Sequence, residues 1–332
     1  MFENVNGEKT SIGRGNLSFT TLNLPRLAIE AKKEATNELK TEGYHVIYND
    51  KAIEDLTLQI FFDKVNKYSI IIAEQLKERY EFQKTAYAKQ FPFMMRNNIW
   101  KGGESLNYHN KVGDTLDTGT LGIGFIGGHN AMVALTGKGH GESSKSDEIL
   151  YMTLNIMNDV AQAYKENYNL NYAVLATPAE GLSGRFTALD VEKFGVIENV
   201  NDREYYVNSF HVDVKTELTA LKKIEIEGKY HELTKGGHIT YVELDGEAKK
   251  NPIVILQLVK AMKDNNIGYG SINHPIDRCK ECSFTGLIEQ ECPKCGSKEI
   301  SRTRRITGYL VGDMDSWNSA KKAEERDRVK HI

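Results

Sequence analysis

The chain has 332 residues, of which 40% are hydrophobic, and its formal net charge at neutral pH is −3. This length is sufficient for one large domain or two smaller ones, and the small charge excludes the broad basic surface that proteins use to hold nucleic acid. The opening residues, MFENVNGEKTSIGRGN, lack the plan of a signal peptide, and no apolar run reaches the ~18 residues of a membrane span. We therefore expect a soluble, cytoplasmic protein.

The first quarter of the chain predicts a short strand followed by helices. Residues 11–24, SIGRGNLSFTTLNL, combine glycine and asparagine with a strand-like run. Pro25 then favours the start of a helix that continues to about Lys40. From about Ile53 to Lys89 the apolar residues recur at helical spacing, which predicts one long helix or two joined helices.

A glycine-rich segment follows at residues 119–137, GTLGIGFIGGHNAMVALTG. It predicts a short buried strand, a tight turn and a helix. A glycine-rich turn with a histidine is able to cradle a phosphate, although the lysine of a P-loop is absent. The alternative is that the glycines serve only tight packing.

The centre of the chain alternates helix and strand. Residues 147–164 predict an amphipathic helix with Ser146 as its N-cap, and a strand follows at Tyr172–Ala176. After the turn TPAEGLSGRF come a strand in HITYVELD, a helix at Pro252–Lys263 and a short strand in YGSIN. This rhythm is typical of α/β architecture.

From Arg278 the composition changes to cysteine, charge and turn residues, which marks a small C-terminal module. All four cysteines of the chain lie there, as two C-x-x-C turns separated by nine residues: Cys279, Cys282, Cys292 and Cys295. Two such turns direct four thiolates at one ion, which predicts a structural zinc site without an open coordination position. A redox dithiol pair and an iron–sulfur cluster are the alternatives.

Together these segments resemble the anaerobic, class III ribonucleotide reductases, which are glycyl radical enzymes. The resemblance covers essentially the whole chain and depends on the order of GRGNLSFTTLNLPR, GIGFIG, ATPAEGLSGRF, the paired C-x-x-C turns, RITGYL and DRVKH. It implies an α/β fold in which residues 1–270 form the second half of a ten-stranded barrel and residues 271–332 form a zinc-binding and glycyl radical module. It also implies radical reduction of ribonucleotides to deoxyribonucleotides for DNA synthesis.

The resemblance makes Gly308, in RITGYL, the carrier of the radical. An unpaired electron on an α-carbon is delocalised between the amide nitrogen and the carbonyl group only if that centre flattens. A Cβ atom obstructs flattening, so the position requires glycine. A radical-SAM activase with its own 4Fe-4S cluster is the implied source of the radical. Without this context, Gly308 is an ordinary bulge glycine in a strand.

The resemblance also implies a substrate site in the turn ATPAEGLSGRF, where Thr177, Ala179, Glu180 and Gly181 contact the nucleotide. A turn between a strand and a helix presents hydroxyl groups and free N–H groups, which suit a phosphate. The alternative is that Thr177 simply caps the helix, and both roles can coexist. Asn16, in GRGN, is implied as an active-site amide.

The family's catalytic cysteine lies on a loop before GRGNLSFTTLNLPR, typically within Met-Gly-Cys-Arg, and the chain begins at Met1 after that position. Since all four cysteines are assigned to the metal, we expect a companion chain to supply the N-terminal half with its thiyl cysteine. The implied substrates are ribonucleoside triphosphates, with ATP among the nucleotides bound. Formate or a small dithiol protein is the implied reductant, and the assembled enzyme is expected to be a homo-oligomer.

Two observations limit this interpretation. His129 and Asn130, in GIGFIGGHN, stand where the family commonly has a carboxylate, so neither is assigned a catalytic role. A non-catalytic zinc-ribbon protein that binds a partner or a nucleotide is the alternative function, although such a protein has no reason to keep RITGYL. The four-cysteine module and the missing Cys-Cys pair argue against a glycyl radical enzyme of the formate-lyase type.

Overall fold

The computed structural model describes residue 5 and residues 15–41, 50–244, 251–273, 276–288, 290–306 and 314–331. Within them the helices are α1 (Leu24–Thr41), α2 (Asp50–Lys84), α3 (Pro92–Arg96), α4 (Gly128–Thr136), α5 (Ser144–Tyr168), α6 (Leu182–Phe194), α7 (Ala220–His231), α8 (Pro252–Asp264) and α9 (Ser319–Asp327). The strands are β1 (Asn16–Asn23), β2 (Thr120–Ile126), β3 (Asn171–Ala176), β4 (Thr240–Glu243), β5 (Gly270–Asn273), β6 (Ile276–Cys279), β7 (Thr285–Gly286) and β8 (Ile300–Thr303).

The chain divides into two compact units that interleave along the sequence. The first unit comprises Met1–Phe125, Glu148–Thr177 and Leu233–His238, and the second comprises Ile126–Asp147, Pro178–Glu232 and Ile239–Ile332. A module boundary at residue 270 stays a prediction. Across the described residues, none of the helices combines the length and apolarity that a bilayer crossing requires.

The first unit contains a three-stranded sheet in the order β1-β2-β3. Strands β2 and β3 are parallel, with Thr120–Phe125 opposite Asn171–Ala176. Both are buried along their whole length. Parallel strands covered on both faces read as continuous apolar runs, which is why the sequence marks these two strands clearly.

Glycines of β2 allow β1 to approach closely. A Cβ atom at Gly122 would lie 3.0 Å from Cβ of Phe19, and one at Gly124 would lie 3.0 Å from Oγ1 of Thr21. Since the contacts advance along both strands together, β1 and β2 run in the same direction. The sheet of the first unit is therefore parallel throughout.

Helices α1 and α2 pack against each other, and α2 also packs against β1. The ammonium group of Lys64 lies 2.8 Å from the carboxylate of Glu34, and the Tyr172 hydroxyl of β3 donates to the carbonyl of Ala73 at 3.0 Å. Helix α2 is a single long helix, which decides between the two sequence alternatives. It ends at Lys84, five residues before the predicted end, because Tyr87 is extended and bridges to Lys111.

In the second unit, β4 and β5 form a parallel pair covered by α7 and α8. Apolar side chains of these elements form one core: Ala220, Ile224, Val242, Leu258 and Met262. Strands β6, β7 and β8 form a separate antiparallel sheet in the order β7-β6-β8. Helix α9 packs against α6.

The N-cap predicted at Ser146 is wrong, because α5 begins two residues earlier, at Ser144. The Ser146 hydroxyl lies inside the helix, where it donates to the carbonyl of Lys138 at 2.9 Å and lies 2.8 Å from the Thr136 hydroxyl. The Ser143 hydroxyl instead accepts from the Ser146 N–H at 3.4 Å. The sequence has several serines near this helix start, so it did not identify the cap. The Ser146 hydroxyl is used by its contacts with residues 136 and 138.

Candidate functional site

The four cysteine thiols form one compact cluster. The Sγ atoms of Cys279 and Cys295 lie 3.5 Å apart, as do those of Cys282 and Cys292, and all four lie within 4.8 Å of one another. Sulfur atoms bound tetrahedrally to zinc at ~2.3 Å lie about 3.8 Å apart, whereas a disulfide places them at about 2.05 Å. The cluster therefore fits a single tetrahedral metal ion.

Tight turns bring the thiols together. The Ser283 N–H donates to the carbonyl of Cys279 at 3.1 Å, and the Gly296 N–H donates to the carbonyl of Cys292 at 2.8 Å. Gly296 has φ +72°, a conformation in which glycine carries no Cβ penalty. The Cys282 N–H lies 3.5 Å from Sγ of Cys279 and, with the Glu281 N–H, lowers the pKa of that thiol, which favours the thiolate that binds metal.

The cysteine cluster is joined to the strand that precedes the RITGYL sequence. Cys279 is paired with Ile300 where β6 and β8 meet. The Asp277 carboxylate is 1% exposed, accepts from the Ile288 N–H at 3.0 Å and lies 2.5 Å from the Arg304 guanidinium. The chain from Asp277 to Arg304 is thus held by buried charge as well as by the thiols. Gly308 lies outside the described residues.

Thr177 directly follows β3 in the first unit and is 2% exposed. Its hydroxyl lies 3.0 Å from that of Thr21. Thr177 does not cap α6, since the residue at the N-cap position is Gly181, without a side-chain hydrogen bond. The capping interpretation of Thr177 is therefore wrong, because the helix begins too far along the chain and the hydroxyl is already paired with Thr21.

The rest of this turn belongs to the second unit. Ala179 is buried with φ +51°, a left-handed conformation that a Cβ atom disfavours, and its carbonyl accepts from the Ser183 N–H at 3.0 Å. Glu180 is half-buried and its carbonyl accepts from the Asn318 side chain at 2.9 Å. Gly181 is exposed, and a Cβ atom there would meet nothing within 4 Å.

Asn16 is exposed and is the first residue of β1. Its side chain lines a cavity of about 270 Å³ in the first unit, together with Gln83, Phe91 and Trp100. The Nδ2 atom of Asn16 lies 3.9 Å from the position that a Cβ atom on Gly237 would take, and Gly237 bridges to Leu175 of β3. The carbonyl of Gly237 accepts from the Ala176 N–H at 2.9 Å, so the Asn16 side chain approaches the segment that pairs with the residue before Thr177.

The turn after β2 is used for packing. The N–H groups of Gly127 and Gly128 donate to the carbonyls of Val207 and Ser209, both at 2.9 Å. The Asn130 amide donates to the carbonyl of Val200 and accepts from the Val207 N–H, also at 2.9 Å. These contacts use the backbone groups that a phosphate would need, so the structure favours the packing alternative.

His129 is also a structural residue. Its Nε2 atom lies 3.7 Å from the Asp213 carboxylate, which forms a bidentate pair with Arg203 at 2.6 and 2.8 Å. Burial lowers the pKa of His129, so the imidazole is neutral in the folded protein at neutral pH. Its omission from the catalytic residues is consistent with these contacts.

Sequence reasoning missed three positions that contact the turn at residues 177–181. Thr21 pairs with Thr177, Gly124 lies beside both hydroxyl groups, and the Asn318 side chain donates to the carbonyl of Glu180. The doubled threonine in SFTTLN and the glycine alternation in GTLGIGFIG were available as signals for the first two. For Asn318 the sequence contained only a helix-cap signal.

The fold and the thiol cluster define an α/β protein with a small four-cysteine module. The family model for anaerobic ribonucleoside-triphosphate reductase matches residues 2–331. This chain belongs to that family.

Among curated relatives, the chain is 32% identical over 353 residues to the anaerobic ribonucleoside-triphosphate reductase of Escherichia coli (strain K12), and 29% identical over 342 residues to that of Enterobacteria phage T4. All of this chain is covered in both alignments, but only 44% and 51% of the two relatives. The chain thus spans about half the length of these relatives.

Solved structures of anaerobic ribonucleotide reductases have a similar fold. An anaerobic ribonucleotide reductase superposes with a TM-score of 0.67 at 21% identity, covering 96% of this chain and 45% of the other. The anaerobic ribonucleotide reductase from Thermotoga maritima in complex with dATP and CTP superposes with a TM-score of 0.64 at 17% identity, covering 97% of this chain and 46% of the other.

Proposed function

We propose that this chain is the glycyl radical part of an anaerobic ribonucleoside-triphosphate reductase, which reduces ribonucleotides to deoxyribonucleotides for DNA synthesis. The observation that carries the proposal is the family match over residues 2–331, a range that includes the four cysteines and Gly308. The proposed architecture is the second half of a ten-stranded α/β barrel over residues 1–270, followed by the zinc and glycyl radical module over residues 271–332.

The four thiols are proposed to hold one structural zinc ion. Cys279, Cys282, Cys292 and Cys295 would fill its coordination, so the metal contributes folding free energy to the module. Because the buried Asp277 carboxylate contacts Arg304, folding of the module would also fix the residues that lead to Gly308. The proposed role of the zinc ion is therefore structural, and other groups carry out the proposed reaction.

In the proposed reaction Gly308 stores the radical. An activase of the radical-SAM type, which has its own 4Fe-4S cluster, removes one hydrogen atom from the α-carbon of Gly308. Gly308 then takes a hydrogen atom from a cysteine thiol, which becomes a thiyl radical. That thiyl removes the ribose 3′-hydrogen of the substrate and returns a hydrogen atom once the 2′-hydroxyl has left as water. Two electrons come from formate, which becomes carbon dioxide, or from a small dithiol protein, which becomes a disulfide. Two protons complete the water and the new C2′–H bond.

The nucleotide is proposed to contact Thr177, Ala179, Glu180 and Gly181. The support is chemical: α6 begins directly after this turn, and the first N–H groups of a helix attract phosphate. The complex of the Thermotoga maritima relative with dATP and CTP supports nucleoside triphosphates as the ligand class, with ATP among the nucleotides bound. Asn16 is proposed as an amide beside the reacting cysteine.

The assembly is proposed to include a companion segment or chain that carries the N-terminal half of the barrel and the thiyl cysteine. It would be a homo-oligomer in the cytoplasm. The support is that the four cysteines of this chain all lie in one metal-type cluster.

Reconstitution under anaerobic conditions tests this proposal. The chain, the activase, a reductant and the N-terminal half of a related reductase should together convert CTP to dCTP, and omission of any one component should abolish the conversion. The chain and activase with reductant alone should be inactive. Turnover by that reduced mixture would contradict the need for a second cysteine-bearing half, and inactivity of every complete mixture would contradict the proposed activity.

A further inference from the structure

The side chain of Asn318 makes two hydrogen bonds in the second unit, one to its own helix and one to a residue far away in the sequence. Its Oδ1 atom accepts from the Lys321 N–H at 2.9 Å, which caps the start of α9. Its Nδ2 atom donates to the carbonyl of Glu180 at 2.9 Å. A helix cap requires only the acceptor, so the second bond is additional to capping.

Helix α9, which Asn318 caps, is seated firmly in this unit. A Cβ atom on Gly184 of α6 would lie only 2.7 Å from Cβ of Ala320, so the two helices touch at the backbone. The Lys321 ammonium group is fully buried and lies 2.6 Å from the Glu324 carboxylate and 3.2 Å from Oδ1 of Asn208. The start of α9 is therefore a fixed reference point for the turn before α6.

The residue that follows the other end of α9, Arg328, holds the first residue of RITGYL, Arg305. The Arg328 guanidinium is 6% exposed and donates to the carbonyl of Arg305 at 3.1 Å. It also donates to the carboxylates of Glu243 and Glu324, at 2.7 and 3.2 Å. Arg305 precedes Gly308 in the sequence and Asn318 follows it. The residues on both sides of the radical position are thus anchored by one helix.

The turn that Asn318 contacts needs such support. Ala179 keeps its left-handed backbone in a small apolar cluster with Ile126 and Tyr206. The carbonyl bound by Asn318 belongs to Glu180, the next residue, so the bond fixes the orientation of the adjacent peptide group. Strained backbone of this kind persists where the surroundings hold it in place, and it is common at ligand sites.

We propose that Asn318 is a positioning residue for the substrate turn, which it holds in register with the C-terminal segment that carries Gly308. The inference rests on the proposed function, because it takes residues 177–181 as the nucleotide contacts. Asn318 touches neither substrate nor radical in this proposal. It acts through the Glu180 carbonyl, and its loss should weaken nucleotide binding while α9 stays folded.

Three variants of the full chain separate this role from capping. Asn318→Asp and Asn318→Ser keep an oxygen that accepts the Lys321 N–H, but neither has an amide donor for the Glu180 carbonyl. Asn318→Ala loses both bonds. A matched control is Asn251→Asp, which changes the exposed N-cap of α8, where the Asn251 side chain accepts from the Val254 N–H at 3.3 Å.

Amide hydrogen exchange of the full chain, without nucleotide, measures directly how the hydrogen bond from Asn318 to the Glu180 carbonyl stabilises the turn. In the Asp and Ser variants, amides 182–185 should exchange about fivefold faster, the effect expected for one lost hydrogen bond, while the α9 amides stay protected. In the Ala variant both regions should exchange faster, and the Asn251→Asp control should match the parent chain in both. Unchanged exchange at 182–185 in the Asp and Ser variants would reduce Asn318 to a helix cap and overturn the proposal.

The reconstituted assembly provides a second readout. With CTP as substrate, Asn318→Asp should raise KM about fivefold with little change in kcat, because only the binding turn is displaced. An equal fall in kcat with unchanged KM would contradict a binding role. If the parent assembly takes up no CTP, the proposed function fails, and the exchange experiment still decides whether Asn318 holds the turn.

Discussion

The hydroxyl groups of Thr21 and Thr177 lie 3.0 Å apart, although the residues belong to different strand segments of the first unit. The middle strand lies beside both hydroxyl groups at Gly124, where a Cβ atom would lie 2.3 Å from Oγ1 of Thr177 and 3.0 Å from Oγ1 of Thr21. The absence of a side chain at residue 124 is thus a condition for this hydroxyl pair.

The first prediction is that Gly124→Ala destabilises the chain by about 1–3 kcal/mol, the usual cost of overpacking a buried site. Urea unfolding measures the effect. In a double-mutant cycle, Thr177→Ala should recover part of the loss, because it removes the closest atom. Gly15→Ala is the control, since a Cβ atom there meets nothing within 4 Å. Equal stability of Gly124→Ala and Gly15→Ala would show that the sheet relaxes around residue 124.

The second prediction concerns the metal. Protein purified with zinc should contain about one zinc ion per chain, and Cys292→Ser should lose it because a neutral hydroxyl is a poor zinc ligand. Elemental analysis measures the metal content. Removal of zinc by a chelator should also increase amide exchange at Ile300–Thr303, since β8 pairs with β6 at the cysteine cluster.

Thr285→Ala is the matched control, because Thr285 lies on β7 of the same small sheet and is exposed. It should keep its zinc. A Cys292→Ser protein with unchanged zinc content would contradict the four-thiol site, and a brown, iron-containing protein would favour an iron–sulfur cluster.

The third prediction concerns Gly308. After activation of the assembled enzyme, electron spin resonance should show a doublet from coupling to the remaining α-hydrogen, and deuterated glycine should collapse it. Air should then cut the backbone and leave a fragment that ends near Thr307. Gly308→Ala should abolish both the signal and the cut, because a Cβ atom opposes a flat radical centre.

The Gly308→Ala protein should keep its zinc and its fold, since replacing one glycine by alanine changes the free energy of unfolding by only about 1 kcal/mol where alanine can adopt the backbone conformation. This separates loss of the radical from loss of structure. A doublet and an oxygen-dependent cut that persist in Gly308→Ala would move the radical to another residue.

The fourth prediction concerns pH. His140 is buried, its Nε2 atom lies 2.8 Å from the carbonyl of Phe210, and burial, aided by the nearby His129, lowers its pKa to about 3. Glu227 and Asp147 oppose that shift. Between pH 6.5 and about 3 the unfolded chain binds a proton at this position and the folded chain does not. Stability should therefore fall as pH decreases through this window, by at most about 1.4 kcal/mol per pH unit from this group.

Urea unfolding at pH 6.5, 5.5 and 4.5 measures the slope. His140→Gln should reduce it, even though the variant is less stable at every pH. His109→Gln, which changes an exposed side chain, should leave it as in the parent chain. An identical slope in His140→Gln and the parent chain would show that His140 takes up its proton equally in both states.

Local patterns predicted strands β1 to β5 and the cysteine cluster well, because each depends on residues close in sequence, whereas β6, β7 and β8 were not predicted. The buried run at Asn171–Ala176 and the two C-x-x-C turns are of this kind. The Ser146 cap was wrong because α5 begins earlier, at Ser144, and the Ser146 hydroxyl contacts that of Thr136. The Thr177 cap was wrong because the Thr177 hydroxyl contacts that of Thr21, far away in the sequence. Asn318 shows the same limit, since its bond to Glu180 spans 138 positions.

The close approach of Gly184 and Ala320 has a consequence for how related sequences vary. With 2.7 Å between a Cβ atom at residue 184 and Cβ of Ala320, neither helix can gain a larger side chain there unless its neighbour moves away. The two positions are therefore expected to be inherited as a pair. In any relative where one of them is enlarged, α9 must sit further from α6, and the reach of Asn318 to the Glu180 carbonyl changes with it.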